Sequence, residues 1–414
     1  MGMQQGEIIK FYREQANLTQ AQLGEGICTT THVSKIERGK TAYSDELIML
    51  FSERLGIDIH QETKQITKIE DLLKQWLIAF VEEDASLIEQ IKCELEAIPF
   101  VRSAQCTHHF HLLLARYYIY KKQYEQANEK IQFIENQIEE LTPFEQNLYY
   151  HIKGIYYISD KVTLYRDGQQ QPLTYLQKVD VDIYGNKEYL HHLSVACHLM
   201  GASTLAYKYA DQALRYFQET YNYRKSILAE SIILLQVSQE KHMHFEHIIA
   251  NYHRLIERCR SLELQFEKLL LMNNLGFEYF NRKQYKEAAK WYKQVIVEGD
   301  ELASNYLKYL SNYIDSCLEG KIGEQREIIC LIQKGLTLSK KHKSTHYTII
   351  FSLLKLKATK DVAAYFSYLE QTVVPYFEKS QHTIYLKRYR KVLYDYYVRH
   401  EKYRQASLIL VGDR

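Results

Sequence analysis

The sequence predicts an all-α protein: a small domain of short helices, then an array of helical hairpins stacked into a right-handed superhelix. Three observations lead there. Pro and Gly are scarce, 4 and 16 in 414 residues, and long helices tolerate neither in their interiors. The N-terminal segment is punctuated by caps and stops at the spacing of short helices. The rest repeats a pattern of small and aromatic residues with a period of about 40 residues, the mark of a solenoid.

The N-terminal elements follow in order. Glu7 to Gln15 reads as a helix with Ile8, Phe11 and Tyr12 on one face. Asn17-Leu18-Thr19-Gln20 breaks it, and Thr19 is a good N-cap for a second helix over Gln20 to Glu25. Gly26-Ile27-Cys28 makes a tight turn, after which Thr29 or Thr30 can cap a third helix, Thr31 to Glu37. Arg38-Gly39-Lys40 ends that helix, with Gly in the stop position. A fourth helix runs from Asp45 to Leu55 and stops at Gly56. Two short helices joined by a tight turn within such a unit can set the second into the major groove of DNA.

These residues resemble the Xre/Cro-type helix-turn-helix over roughly residues 4–60, on Leu18-Thr19-Gln20, Leu23 and Ser34-Lys35-Ile36-Glu37-Arg38-Gly39-Lys40. Gly24 departs from the usual Ala, a small-for-small change. The resemblance implies DNA binding. It puts Gln20 near a phosphate at the start of the second helix, Thr30, Thr31, His32 and Lys35 toward the groove, and Arg38 and Lys40 on phosphates. Val33 and Ile36 face the core. Residues 1–65 carry seven Lys/Arg against nine Asp/Glu. Non-specific binding is therefore expected to be weak, and a dimer on two half-sites would compensate.

The repeats are clearest around Gly276, where Leu275-Gly276, Tyr279, Ala288 and Tyr292 recur at tetratricopeptide spacing. Ala115, Tyr118, Ala127 and Ile131 follow the same intervals, as do Tyr394, Tyr397, Ala406 and Leu410. Gly154 and Tyr157 match in the first helix only, because residues 159–171 insert a longer loop. The spacing predicts roughly eight hairpins at about 40 residues each. Small residues let the paired helices approach, and the aromatic fills the space beside them. No hairpin buries its own apolar face, so hairpins must stack, leaving an extended concave surface. Helices in IEDLLKQWLIAFVEED and SLIEQIKCELEAI join the two parts without a Gly/Ser linker. The predicted organisation is 1–62 helix-turn-helix domain, 63–100 helical connection and start of repeats, and 101–414 tetratricopeptide-like repeat domain.

Composition narrows the function. Hydrophobic residues at 46% and charged residues at 25% suit a folded soluble chain. The 36 Tyr suit helix packing and peptide-binding surfaces alike. Net charge is +2, so there is no whole-chain polycation. The seven cysteines (Cys28, Cys93, Cys106, Cys197, Cys259, Cys317, Cys330) are scattered without a Cys-x-x-Cys pair and read as reduced thiols. The N-terminus has no signal-peptide run, and no stretch reaches the roughly 20 apolar residues of a membrane span. A cytoplasmic location is expected. No P-loop, Gly-x-Gly-x-x-Gly, His-Glu-x-x-His or Gly-x-Ser-x-Gly occurs, so no cofactor, metal or catalytic role is expected. The histidine clusters (His108, His109, His111; His191, His192, His198; His242, His244, His247) read as surface or packing residues, since adjacent helical positions do not converge on one ion.

An Xre-type domain followed by such repeats, over this length, resembles the Rap/Rgg/NprR/PlcR/PrgX quorum-sensing family, in length most like NprR-type members. The resemblance implies a peptide-responsive transcription regulator whose groove takes a short signalling peptide, acting as a homodimer or higher homo-oligomer. A Rap-like role, binding and inhibiting a response regulator, is the alternative. Asn on first helices of hairpins can pair with a peptide backbone as both donor and acceptor. Asn273 and Asn274, with Phe277, and Asn305, Tyr309, Asn312 and Tyr313 on the next hairpin, are the expected peptide-binding residues.

Overall fold

A computed structural model describes residues 2–98, 104–159, 170–238, 244–301 and 305–411. Every regular element among them is a helix. Residues 1–149 and 150–414 form two compact units, divided inside one helix.

The first unit opens with α1 (Gly2–Gln15), α2 (Gln20–Gly24), α3 (Thr30–Glu37) and α4 (Asp45–Leu55). Thr19 caps α2 in a capping box: its hydroxyl accepts from the Gln22 amide while the Gln22 side chain accepts from the Thr19 amide. Of the two threonines that could cap the third helix, Thr29 does so, accepting from the His32 amide. At the far end Gly39 takes a left-handed φ of 63°, and the Lys40 amide bonds back to the Lys35 carbonyl at 2.8 Å, closing α3 with a Schellman turn. Gly56, φ 67°, ends α4. The crossing of α1 over α3 depends on Gly6, where a Cβ would lie 2.1 Å from the Ile36 carbonyl oxygen.

Capped by Asp58, α5 (Ile59–Glu82) runs without a break through residue 62 and packs on α1. It then pairs with α6 (Ala85–Ala97) and touches α7 (Ala104–Tyr120), which pairs with α8 (Tyr124–Glu135). Fully buried Trp76 ties α5 to α6 by donating its indole N–H to the Ile88 carbonyl, and its ring stacks on Phe110 of α7. The boundary between the units lies in α9 (Pro143–Ser159). The longer loop read at residues 159–171 falls largely outside the described residues.

The second unit continues with α10 (Gln171–Leu176) and α11 (Val181–Tyr184). Hairpins follow: α12/α13 (Tyr189–Leu199, Ser203–Glu219), α14/α15 (Tyr223–Val237, Phe245–Ser261), α16/α17 (Gln265–Asn281, Tyr285–Glu298) and α18/α19 (Tyr306–Gly320, Gln325–Lys341). Then α20 (Thr345–Ala358) faces a second arm made of α21 (Val362–Tyr368), a π-turn and α22 (Val374–Lys379). The last described hairpin is α23/α24 (Thr383–Arg399, Tyr403–Val411). First helices of neighbouring hairpins touch each other from α12 through α20.

The close approach read from the sequence is visible at each arm. A Cβ on Gly154 would lie 2.4 Å from Leu176, on Gly276 2.8 Å from the Tyr292 ring, and on Gly335 2.3 Å from the Phe351 ring. Ala288 and Tyr292 are fully buried beside Gly276. Gly276→Ala therefore sets a helix-propensity gain of about 1 kcal/mol against overpacking of about 1–3 kcal/mol. A net loss of stability is expected, read as a lower guanidinium midpoint. A midpoint at or above wild type would show that Tyr292 yields.

Candidate functional site

The first candidate surface is the outer face of α3. Val33 and Ile36 point into the core with no exposure, which leaves Thr30, Thr31 and Lys35 exposed and His32 half-buried on the opposite side. Arg38 and Lys40, in the turn that follows, are also exposed. The sequence-predicted groove-facing residues thus share one face.

Gln20 behaves differently. It is the first residue of α2, as expected, but its side chain turns inward and donates to Glu37 Oε2 at 2.8 Å. Glu37 is buried, 4% exposed. Arg13 of α1 grips it with two bonds, Nε to Oε1 at 2.6 Å and Nη2 to Oε2 at 3.1 Å, a planar fork suited to a carboxylate. The hydrogen bond to Glu37 holds the Arg13 guanidinium above its usual range, against burial. One carboxylate therefore locks α1, α2 and α3 together. Arg54 of α4 completes the frame by donating to the Leu23 carbonyl at 3.0 Å and to that of Glu25, at the open end of α2. Sequence reasoning missed Arg13, Glu37 and Arg54 as positioning residues. The charge removed by this burial is decisive: between residues 29 and 42 Glu37 is the only acid. The exposed face consequently presents Lys35, Arg38 and Lys40 without an acidic neighbour in that segment.

The second candidate surface is a polar seam crossing the first helices of successive hairpins. Gln236 of α14 bonds His198 of α12 at 2.9 Å. Asn274 of α16 donates to the Ser231 hydroxyl of α14 at 3.2 Å, and Asn273 donates to Asn274 at 3.4 Å. Asn312 of α18 then donates to Asn273 Oδ1 at 3.0 Å. Asp315 of α18 carries the seam onward, accepting from Lys357 of α20 at 2.7 Å and from Arg388 of α23. The Arg388 guanidinium also lies over the Phe280 ring, 5.1 Å from its centre.

The expected peptide residues divide on this frame. Asn273 and Asn274 are buried, 2% and 6% exposed, and bond to each other and to their neighbours. Asn312 is half-buried, and Phe277, one turn beyond Asn273, is exposed. Asn305 is the N-cap residue of α18 rather than part of it; its side chain makes no cap bond, and its carbonyl accepts from the Tyr309 amide at 3.1 Å. Tyr309 is a core residue, 4% exposed, and Tyr313 packs partly buried against the neighbouring core. Sequence reasoning missed Ser231, Gln236, Asp315, Lys357 and Arg388. A signal was available: bonded partners stand 38, 43, 39 and 42 residues apart, one repeat each.

Of the histidine clusters, His242 lies outside the described residues. His192 is half-buried and bonds His151, which bonds the Tyr184 hydroxyl at 2.8 Å. Burial pushes His191 down to about 4. Among the described residues no group of His, Cys, Asp or Glu forms a metal-holding cluster, and no helix is long and apolar enough to cross a membrane.

Residues 9–61 match a helix-turn-helix family. Over 93% of its length the chain is 21% identical to the transcriptional activator NprA of Geobacillus stearothermophilus, covering 96% of that protein. Among solved structures it is similar to NprR in complex with its cognate peptide NprX, at a TM-score of 0.66 and 21% identity over 79% of this chain and 97% of that one. It is also similar to a Rap protein complexed with competence and sporulation factor, at a TM-score of 0.69 and 16% identity over 84% and 96%. The structural likenesses show the repeat fold. Together with the whole-length relative they bear out the Rap/Rgg/NprR/PlcR/PrgX resemblance read from the sequence.

Asp315 gives this seam a pH signature. Burial disfavours its charge, but Lys357 and Arg388 outweigh that and hold the carboxyl down from 3.8 to about 2. A depressed carboxylate stabilises the fold above its unfolded pKa, and that contribution is lost as pH falls through about 2. The shift corresponds to about 2 kcal/mol. Asp315→Asn is expected to be less stable than wild type at neutral pH, with the gap closing as pH falls from about 4 to about 2. Urea melts across that window check it; a gap independent of pH would show that the ion pairs contribute nothing.

Proposed function

We propose that this protein is a cytoplasmic transcription regulator without enzymatic activity, which reads DNA with α3 and takes a short peptide on the polar seam. The observation that carries the DNA reading is the cationic outer face of α3, whose segment 29–42 holds no acid but Glu37, which Arg13 and Gln20 bury. Phosphate contacts supply most of the non-specific affinity of such a domain, and this face concentrates Lys35, Arg38 and Lys40 although residues 1–65 are acidic overall. Thr30, Thr31, His32 and Lys35 lie where base edges would be read. Gln20, in this reading, serves by fixing α2 against α3. The transcriptional activator NprA, similar over nearly its whole length, supports the class.

The peptide reading rests on the seam. An extended peptide brings backbone amides and carbonyls that need partners when buried, and Asn offers both kinds of group. Asn312 is the accessible member, and Phe277 adds an exposed apolar surface on the next helix. The likeness to NprR bound to NprX supports a peptide as the ligand.

For DNA, Thr31→Ala or Lys35→Ala is expected to weaken specific operator binding by about 1–3 kcal/mol, and Lys40→Ala to lower the salt slope by about 1. Gel shifts across a salt series measure both, and light scattering of the complex is expected to report a dimer on paired half-sites. Unchanged operator affinity in both α3 variants would remove those residues from the interface.

For peptide, Asn312→Ala is expected to weaken binding of a cognate short peptide by about 1–3 kcal/mol, without loss of helix content. Asn274→Ala should also lower stability, because Ser231 loses its buried partner. Calorimetry and circular dichroism separate the two effects. Wild-type affinity in both variants would place the clamp elsewhere.

A further inference from the structure

Cations of the second unit that lie near the seam carry acid partners. Lys225 pairs with Glu188, Lys357 with Asp315 and Glu319, and Arg388 with Asp315. Lys308 does not. It sits on α18 one turn before Asn312, so both side chains lie on the same face of the helix. It is partly buried, and no acid among the described residues pairs with it. Burial alone pushes its pKa down, with no compensating carboxylate. Its charge also reaches His198 of α12, which burial and Lys308 together hold down at about 4. Lys308 thus lies within electrostatic reach of His198, at the Gln236–His198 end of the seam.

A partly buried ammonium with no acid beside it is costly, because charges withdrawn from water are ordinarily paired. Among the described residues Lys308 thus has no acid partner, and the adjacent Asn312 and Asn273 indicate what kind of molecule would bring one. We infer that Lys308 is the anchor for a carboxylate of the bound peptide, placed beside the asparagines that hold its backbone. This rests on the peptide reading above and adds a chemical requirement to it: the ligand carries a carboxylate within reach of α18, either its own C-terminus or an Asp or Glu side chain.

The test uses the full-length protein and pools of short random synthetic peptides. One pool has free C-termini and no Asp or Glu, one is C-terminally amidated and contains Asp and Glu, and one is amidated and lacks both acids. Peptides retained after gel filtration are identified by mass spectrometry. Wild type is expected to retain peptides from the carboxylate-bearing pools. Lys308→Met should lower that recovery about tenfold or more, while Lys308→Arg preserves it. Loss confined to the first pool identifies the terminal carboxylate, and loss confined to the second an acidic side chain. Lys308→Met is also expected to be at least as heat-stable as wild type, because it removes an unpaired charge; Lys308→Gln replaces it should Met misfold.

If wild type retains peptides without preferring carboxylates, or Lys308→Met keeps the preference, the assignment of Lys308 is overturned and the peptide reading stands. If wild type retains nothing from any pool, both are overturned.

Discussion

The closeness of helix crossings is the constraint on which both units depend. At Gly6 against the Ile36 carbonyl, Gly276 against Tyr292 and Gly335 against Phe351, a single methyl group has no room. Close crossing lets two helices interlock at interior packing density. It also leaves each hairpin with an apolar face still open, which only a neighbouring hairpin can cover. The repeat is therefore not a row of independent modules. Stacking brings the first helices of successive hairpins side by side, and the polar seam can exist only because of that adjacency.

Polar groups inside such a stack need partners, and nearly every one traced along the seam finds its partner one repeat away. Ser231 with Asn274, Asn273 with Asn312 and Asp315 with Lys357 are bonds between helices, not within them. They fix the sliding register of helices whose apolar contacts alone are less directional. A ligand entering here meets preorganised amides rather than mobile chains, which lowers the ordering cost of binding. In the peptide reading proposed above, the same preorganisation would let Asn273 and Asn274 serve the fold and the site together.

In the N-terminal domain one buried ion pair does comparable work by a different route. Arg13 and Gln20 take Glu37 out of solvent, and this both fastens three helices and strips the negative charge from the end of α3. Net charge over the domain is thus a poor guide to its binding face. The local field depends on which charges reach the surface.

Much of this was legible in the chain itself. Caps at Thr19 and Thr29 and stops at Gly39 and Gly56 are local chemistry, decided by neighbours within a few residues, so α2, α3 and α4 could be placed from sequence. Small and aromatic residues at repeat spacing announced the crossings, because the period of a helix fixes which positions meet. Asn273, Asn274 and Asn312 could be chosen as polar positions on first helices. What the sequence alone did not decide was where each side chain spends its hydrogen bonds. Gln20 turned to Glu37, Tyr309 went into the core, Asn305 fell just outside its helix, and Lys308 found no acid among the described residues. Those outcomes depend on which groups the folded helices bring within about 3 Å, from 17 residues away for Gln20 and Glu37 to one repeat away along the seam, and hydrogen bonds are decided at that distance.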